Sequence, residues 1–311
     1  ILFGAPDRGG TIHHAKWGAR GKPMPAAIYI GADPVQYLVA PSRYGKDELA
    51  VAGGIRGRAV ELVKCETVDI EVPATAEYVM EGEVTTDYVE AEGPFGEFTG
   101  FMAGGREAPV FNVKCITHRK DPILLGVLSQ FPPSESSIIK RALLEASLLK
   151  HLREILKIPG ISDVHALEAG GCTATLWVSI KKLYTGHVDQ IAFAIWGYFG
   201  TSYYKWIIVT DNDVDIRDPF MRDWVFSWIV RPDQDVRIIP HSGSVELDPS
   251  TDPPDVMPAE KFGAKAIIDA TRKWKYPAIS LPPQECIDRV LSRWGDYRLP
   301  PLDQVRLPKG I

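Results

Sequence analysis

Two glutamates that are five residues apart, Glu92 and Glu97, flank a Gly-Pro-Phe-Gly turn in the segment EGPFGEFTG. Proline fixes one backbone φ angle, and glycine adopts backbone conformations closed to other residues. A rigid turn of this kind could hold one carboxylate in a dry site with a raised pKa, ready to act as a general acid, while the other pairs with a cation. The spacing alone also fits a hairpin loop with two solvated glutamates, so both interpretations stay open at this point.

Charged pairs follow two apolar runs farther along the chain. Lys181 and Lys182 come directly after residues 176–180, where apolar side chains alternate, so we expect Lys181 to point inward and Lys182 to point to solvent. A pair of surface lysines at a strand end explains the same residues. Asp211 and Asp213 follow an apolar strand, and their oxygens could suggest a magnesium site.

The first third of the chain has the pattern of closely spaced strands. β-branched and alternating apolar residues recur between short polar turns, with few helical stretches between them, which favours an antiparallel barrel or sandwich. The predicted strands are residues 26–30, 60–63, 68–72, 77–84, 110–116 and 123–128.

The pattern changes after Pro132 and Pro133. A helix is expected to begin at Ser134 or Ser136 and to run to about Lys157, and after it strands and helices alternate, as in an α/β layer. The predicted strands are residues 164–167, 173–180, 206–210 and 236–239, and the predicted helices are residues 187–198, 219–230 and 264–274.

Composition limits the possible classes of protein. The chain has 311 residues, of which 45% are hydrophobic, enough for two domains that each bury a core. Its net charge of −5 argues against nucleic-acid binding, and no apolar run is long enough to span a membrane. The four scattered cysteines form no CxxC pair and fit a reducing compartment, so a cytoplasmic location is expected. The opening at Ile1 resembles the middle of a domain, and we expect the natural protein to begin upstream.

Six segments together resemble the UbiD family of decarboxylases, and they occur in the order that the family has them. They cover nearly all of the chain between Gly21 and Trp274. The segments are GKPMPAAIYIGADP (21–34), the ELVKC, VPA and EGE run (61–83), EGPFGEFTG (92–100), WVSIKKLYTGH (177–187), IVTDNDV (208–214) and DATRK (269–273).

The resemblance implies a mixed α+β fold, with a split β-barrel that binds flavin followed by a smaller α/β domain and a long helix between them. The expected boundaries are residues 1–132 for an N-terminally incomplete barrel domain, 133–158 for the connecting helix and 159–311 for an α/β oligomerisation domain. The implied cofactor is prenylated FMN. Loss of CO2 from an unsaturated carbon needs an electron sink, and a modified flavin ring supplies one.

The resemblance also implies roles for single residues. Glu97 matches the family's acid, which protonates carbon after CO2 leaves, and Glu92 matches its charged partner. Lys181 matches a lysine near the flavin, and the segment of Asp211 and Asp213 matches a structural turn of the second domain rather than a magnesium site. Glu48 matches a carboxylate on the divalent metal, manganese or magnesium, that clamps the cofactor phosphate with potassium nearby. His13 lies near the family's histidine ligand, whose own position is occupied here by Gly9, and neighbouring His14 is an alternative.

The substrate shell is carried over in the same way, and the resemblance extends to partners. Phe98, Ser136 and Lys140 match positions that line the substrate pocket in family members. The implied substrate class is a small aromatic acid, hydroxyaryl acids included, or an α,β-unsaturated acid. A flavin prenyltransferase would supply the cofactor, and a homo-oligomer, either a dimer or a hexamer, is expected.

The chain departs from the family pattern in ways that keep alternatives open. The family's catalytic arginine and asparagine metal ligand would lie upstream of Ile1. The leading hypothesis is a reversible prenyl-FMN-dependent carboxy-lyase. A second is a non-catalytic or complementing subunit of a UbiD-like complex, and a third is a split-barrel reductase with ordinary FMN, against which the EGPFGE turn argues.

Overall fold

The computed structural model describes residues 9–41, 47–103, 105–245, 247–251 and 262–302. The expected start of the chain, at residues 1–8, lies outside these ranges. The predicted mixed α+β fold is confirmed, since a unit of mainly antiparallel strands (residues 9–118) precedes an α/β unit (residues 134–302). Within the described ranges the strands form open sheets rather than a closed barrel. No described helix combines the length and the apolar character needed to cross a bilayer.

The first unit is built on a three-stranded antiparallel sheet with the strand order β1-β4-β7. Two short hairpins, β2-β3 and β5-β6, accompany it. Its elements are α1 (Gly9–Gly18), β1 (Met24–Ile30), α2 (Pro34–Val39), α3 (Glu48–Arg56), β2 (Leu62–Lys64), β3 (Glu71–Pro73), β4 (Tyr78–Glu92), β5 (Phe95–Gly96), β6 (Met102–Ala103) and β7 (Arg106–His118).

The second unit is a five-stranded sheet with the order β11-β12-β10-β9-β8. The three central strands are parallel, and each edge strand is antiparallel to its neighbour. Its elements are α4 (Glu135–Lys150), a π-helical turn (His151–Ile155), β8 (Ile161–Ala166), a 3-10 turn (Glu168–Gly170), β9 (Thr175–Ile180), α5 (His187–Gly197), β10 (Trp206–Asp211), α6 (Pro219–Trp228), α7 (Pro232–Asp235), β11 (Val236–Ser242), β12 (Gly263–Ala270), α8 (Gln284–Ser292) and a 3-10 turn (Trp294–Tyr297).

The main core of the protein lies on the two faces of this five-stranded sheet. On one face, Leu148 and Leu152 of the α4 segment and Ile195 of α5 pack against the strands. On the other face, Met221 and Val225 of α6 do so. The parallel strands are therefore covered on both sides, which explains why their sequences are nearly continuous apolar runs.

Two predicted elements are wrong. Residues 264–274 were predicted as a helix, but β12 (Gly263–Ala270) is a strand that pairs in parallel with β10. Its Ile267 and Ile268 are buried on opposite faces of the sheet, so the segment shows no strand alternation to read. Residues 123–128 were predicted as a strand but form no regular structure, and Ile123 is 73% exposed.

Candidate active site

The two glutamates of the EGPFGE segment flank a tight hairpin. Glu92 ends β4 opposite Arg106 of β7, and Gly93, at φ +85°, turns the chain into β5. Glu97 lies in the turn between β5 and β6, where its backbone N–H donates to the carbonyl of Phe101 at 3.0 Å. Both glutamate side chains are half-buried. The hairpin thus holds two carboxylates on a fixed backbone.

This hairpin packs against the second unit through Phe98. Gly171 has φ +58°, and a Cβ atom there would lie 2.7 Å from Cδ2 of Phe98, so only glycine allows this approach. From α4, the Nζ atom of Lys140 lies 4.0 Å from the centroid of the Phe98 ring, a cation–π contact. The structure therefore brings together Phe98 and Lys140, two of the predicted substrate-pocket residues.

Ser136, the third predicted pocket residue, lies one helical turn before Lys140 on α4. Its hydroxyl donates to Oγ of Ser129 at 3.0 Å and lies 3.4 Å from Oγ of Ser134. The hydroxyl is therefore tied to the segment that enters α4. Ser134 occupies the N-cap position of the helix, although its side chain makes no capping hydrogen bond.

A cavity of 220 Å³ adjoins the hairpin where the two units meet. Phe98 and Phe101 form its wall on the hairpin side. On the other side the wall includes Lys205 and Asp248, which form an ion pair at 2.8 Å. Burial alone would raise the pKa of Asp248, but hydrogen bonds from Lys205, Ser250 and Ser244 hold it below its ordinary value. The cleft thus combines aromatic walls with a fixed ion pair.

The predicted orientation of the lysine pair is wrong. Lys182 is the half-buried member, and its Nζ donates to Oδ2 of Asp269 at 2.8 Å and to Oγ1 of Thr271 at 3.0 Å. Burial would raise the pKa of Asp269, but the hydrogen bonds from Lys182 and Thr271 hold it low. Lys181 is exposed. Because β9 is buried on both faces, its alternation does not tell which lysine turns inward.

The predicted metal ligands lie on helices of the first unit. Glu48 is the exposed first residue of α3, and Asp47 caps that helix by accepting from the N–H of Ala50 at 2.9 Å. Burial raises the pKa of Tyr29, and the charges of Tyr37 and Glu48 add to this effect.

His13 is exposed on α1, whereas Nε2 of the neighbouring His14 lies 2.7 Å from the carbonyl oxygen of Thr85. No group of three or more His, Cys, Asp or Glu side chains is gathered anywhere in the described part of the chain. The roles of Glu48 and His13 as metal ligands therefore stay predictions.

Asp211 and Asp213, the alternative oxygen ligands, are bound by a single arginine. Arg272 pairs with Asp213 at 2.8 Å and with Asp211 at 3.3 Å, and its backbone N–H donates to Asp211 at 2.8 Å. Burial raises the pKa of Asp211 despite this cation. These two carboxylates link the turn after β10 to the turn after β12, as expected for residues with a structural role.

Comparison with known proteins accounts for both units. Residues 1–132 match the family model of the 3-octaprenyl-4-hydroxybenzoate carboxy-lyase Rift-related domain. Residues 137–270 match the model of the C-terminal domain of the same carboxy-lyase. The chain belongs to the UbiD family.

Solved UbiD-class enzymes are similar over most of the chain. HmfF from Pelotomaculum thermopropionicum in complex with FMN has a TM-score of 0.79 at 30% identity, covering 96% of this chain and 64% of that one. An evolved dimeric form of HmfF in complex with prFMN has a TM-score of 0.75 at 29% identity, covering 96% and 62%. The 3,4-dihydroxybenzoic acid decarboxylase AroY of Klebsiella pneumoniae has a TM-score of 0.75 at 29% identity, covering 92% and 63%.

One curated relative shows how much of a longer protein this chain spans. An uncharacterized protein of Synechocystis sp. is 34% identical over 306 residues, which cover 94% of this chain and 58% of that protein. The present UbiD-family chain therefore spans somewhat under two thirds of the length of the proteins that it matches.

Sequence reasoning missed a partly buried ionic network beside the site. Glu145 of α4 accepts from the backbone N–H of Ala166 at 2.8 Å and lies 3.1 Å from Nδ1 of His165. Arg217 binds Glu145 at 3.2 Å and Asp163 at 3.1 Å. Burial would raise the pKa of Glu145, but His165, Ala166 and Arg217 hold it below its ordinary value. No local pattern signals this network, because His165 and Arg217 lie 20 and 72 positions away from Glu145 along the chain.

Proposed function

We propose that this UbiD-family protein catalyses the reversible, non-oxidative decarboxylation of an aromatic or α,β-unsaturated carboxylic acid with prenylated FMN as its cofactor. The observation that carries the proposal is the docked hairpin. Two half-buried carboxylates flank a turn whose Phe98 packs against Gly171 and lies under Lys140. In this proposal the acid, the aromatic surface and the cation serve one cleft between the two units.

The side chains present fit the proposed cofactor by their chemistry. Lys181 is exposed, and its Nζ makes no hydrogen bond or ion pair with the described residues, so it is available to a phosphate. Glu48 is an exposed oxygen ligand of the kind that manganese or magnesium accepts, and His13 would add a nitrogen ligand. When bound, the prenylated flavin supplies the electron sink for the carbon that loses CO2.

The protein's own part is to position the acid and to deliver a proton. Glu97 is the proton donor to carbon, and Glu92 supplies the neighbouring charge. Lys140 pairs with the substrate carboxylate, while the ring of Phe98 packs along the apolar body of the substrate. Ser136, whose hydroxyl donates to Ser129, is assigned to the α4 side of the substrate pocket by the family resemblance. Together these groups would hold the substrate in a fixed orientation relative to the proton donor.

The test is reconstitution of the full-length protein with prenylated FMN, followed by measurement of CO2 release and isotope exchange with a panel of aromatic and unsaturated acids. Glu97→Gln is expected to lower turnover by about 10²–10⁴-fold while the flavin spectrum shows that the cofactor is still bound. Glu90→Gln, which changes an exposed glutamate two residues before Glu92, is the matched control and is expected to leave turnover unchanged.

Two outcomes would count against the proposal. Normal turnover in Glu97→Gln would remove the assignment of the acid. A protein that binds prenylated FMN but exchanges no CO2 with any acid until a second chain is added would be a complementing subunit. A homodimer or hexamer remains the expected assembly, and size-exclusion chromatography with light scattering measures it.

A further inference from the structure

Four cations gather where the parallel strands β9, β10 and β12 end, at one edge of the second sheet. Lys181 and Lys182 follow β9 directly, and Arg272 and Lys273 follow β12 within three residues. In open α/β sheets, ligands bind outside the carboxyl ends of the strands. The pairing of these four cations therefore decides which of them is left for an anionic ligand.

Three of the four cations are engaged by carboxylates at the same edge. The pairs are Lys182–Asp269 at 2.8 Å, Lys273–Asp235 at 2.9 Å and Arg272–Asp213 at 2.8 Å. Lys181 is exposed, and its Nζ has no carboxylate partner among the described residues. This edge of the sheet thus leaves Lys181 for an anion from outside the chain.

The side chain of Lys182 spans the end of β10. That strand lies between β9 and β12, so Lys182 reaches past one strand to the next but one. Its Nζ donates to Oδ2 of Asp269 at 2.8 Å and to Oγ1 of Thr271 at 3.0 Å. The Asp269 side chain is 13% exposed, and its lowered pKa keeps it ionised at neutral pH. Removal of either member of such a pair leaves the other without its partner.

The backbone of Lys181 is held by the loop before β8. Its N–H donates to the carbonyl oxygen of Gly160 at 2.7 Å. Gly160 has φ +76°, and a Cβ atom there would lie 2.4 Å from the carbonyl oxygen of Lys181, so only glycine allows this contact. Gly160 therefore fixes residue 181 while Asp269 fixes residue 182, and together they set the direction in which the Lys181 side chain leaves the sheet.

We propose that Asp269 is a positioning residue for cofactor binding: by holding Lys182 across the sheet edge, it directs Lys181 toward the phosphate group of the flavin. Successive side chains at a strand end point to opposite sides, so the inward pull on Lys182 turns Lys181 outward. The inference rests on the proposed function, in which Lys181 binds that phosphate. Asp269 itself does not touch the cofactor.

Positioning and simple electrostatics predict opposite results at Asp269. The negative charge of this aspartate alone would oppose a phosphate at the same edge, so its removal would strengthen phosphate binding. Loss of the acceptor for Lys182 would instead release the strand end and weaken phosphate binding. Two uncharged replacements separate these effects, because leucine accepts no hydrogen bond whereas asparagine keeps an acceptor oxygen.

The test measures binding of FMN, and of riboflavin, which lacks the phosphate, to the cofactor-free, full-length protein with manganese present, by quenching of flavin fluorescence. Asp269→Leu is expected to weaken FMN binding by about tenfold and to leave riboflavin binding unchanged. Asp269→Asn is expected to keep most of the FMN affinity. Lys181→Met should lose at least as much as Asp269→Leu, and the double variant should lose no more than Lys181→Met alone, because both changes act on one contact.

Asp213→Asn is the matched control. It removes the charge of an aspartate at the same edge whose partner is Arg272 rather than Lys182, so FMN binding is expected to be unchanged. Thermal unfolding of each variant checks that the fold is retained. Should Asp269→Leu not fold, Thr271→Val removes the other acceptor of Lys182 and is expected to weaken FMN binding by about threefold.

The inference is overturned if Asp269→Leu binds FMN as tightly as the unchanged protein, or if it weakens FMN and riboflavin equally. Equal behaviour of Asp269→Leu and Asp269→Asn would also overturn it, since charge alone would then explain the result. Weaker FMN binding in Lys181→Met but not in Asp269→Leu would overturn the inference and leave the proposed function intact. Failure of the proposed function appears in a different measurement, as the absence of CO2 release from the reconstituted protein.

Discussion

The two sheets of this protein bury their residues in different ways. In the second unit, Leu176 of β9 and Ile207 of β10 are fully buried, and helices cover both faces of the sheet. In the first unit, the buried apolar cluster centres on Val72, Ala76 and Val79, while Ile116 of β7 is 58% exposed. The second unit has the packing of a structural core, whereas the first buries a smaller apolar cluster and leaves part of its sheet exposed.

This difference distinguishes the second unit, which contributes most of the packing, from the first unit, which carries the candidate catalytic groups. A strand that is buried on both faces contributes mainly apolar area, at about 25 cal/mol per Å² removed from water. A sheet with an open face can present polar groups to a ligand, because not every side chain is needed for packing. We therefore expect core substitutions in the second unit to affect folding, and substitutions near the hairpin to affect function more than stability.

The largest expected effect tests the packed sheet. Leu176→Ala should lower the free energy of unfolding by about 2–5 kcal/mol, because it leaves a cavity in a core that cannot collapse easily. Val113→Ala on β7, where the side chain is 47% exposed, should change it by less than about 0.5 kcal/mol. Urea unfolding followed by tryptophan fluorescence measures both, and all tryptophans except Trp17 lie in the second unit. Equal losses in the two variants would contradict the comparison.

A second prediction compares the buried glutamates of the two units. Glu81 of β4 accepts hydrogen bonds from the N–H groups of Glu66 and Thr67 and from the Thr67 hydroxyl. Burial would raise its pKa, but these bonds hold it below the ordinary value, as the network does for Glu145. In each case folding favours the deprotonated form. The stabilisation is therefore fully present above the unfolded-state pKa, near 4.5, and is lost as the pH falls through the lower folded-state pKa.

We expect the unchanged protein to lose stability in acid and each Glu→Gln variant to lose less. At neutral pH each variant should be less stable than the unchanged protein by about 1–3 kcal/mol. The dependence of stability on salt should distinguish Glu145 from Glu81. Glu145 is paired with Arg217, which is 47% exposed, so added salt should weaken its contribution, whereas among the described residues Glu81 is held by neutral donors alone. Chemical unfolding across pH at low and high salt measures this. A salt effect of the same size at Glu81 would contradict the assignment.

The smallest expected effect concerns the contact between the units. Gly171→Ala should cost about 1–2 kcal/mol, because alanine is strained at φ +58° and its Cβ would collide with Phe98. Its larger consequence should be on turnover, since the hairpin that carries Glu97 would be displaced. Gly197→Ala on α5, where a Cβ meets nothing within 4 Å, is the control. If Gly171→Ala keeps full turnover, hairpin docking is not needed for activity.

The parts of the fold that the sequence predicted are those with local signals. The α5 and α6 helices and the strands β8, β9 and β10 were placed within a few residues, because Gly, Pro and apolar runs mark their limits. The segment of β12 was wrongly predicted as a helix. It forms a strand because it pairs with β10 and β11, and that pairing leaves no signal in the segment's own sequence. Helices α1, α2 and α3 were not predicted, since their short segments bury few residues.

The part of the candidate site that could be predicted is the part that a local sequence motif marks. The EGPFGE segment indicated the hairpin, and Phe98 lies in contact with Lys140, while their role in a substrate pocket stays a prediction. The orientation of the lysine pair could not be read from alternation, because Asp269 and Thr271, far along the chain, draw Lys182 inward. Long-range ion pairs of this kind leave no mark on the neighbouring sequence.

The α4 helix and the π-helical turn after it carry three successive pairs of residues spaced by four positions. Ser136 binds Ser129 and Lys140 contacts Phe98, Arg141 pairs with Glu168 and Glu145 with Arg217, and Leu148 and Leu152 enter the core. Each residue advances a helix by about 100°, so inserting one residue before Leu148 would rotate every preceding side chain out of phase. The register of this helix is therefore fixed.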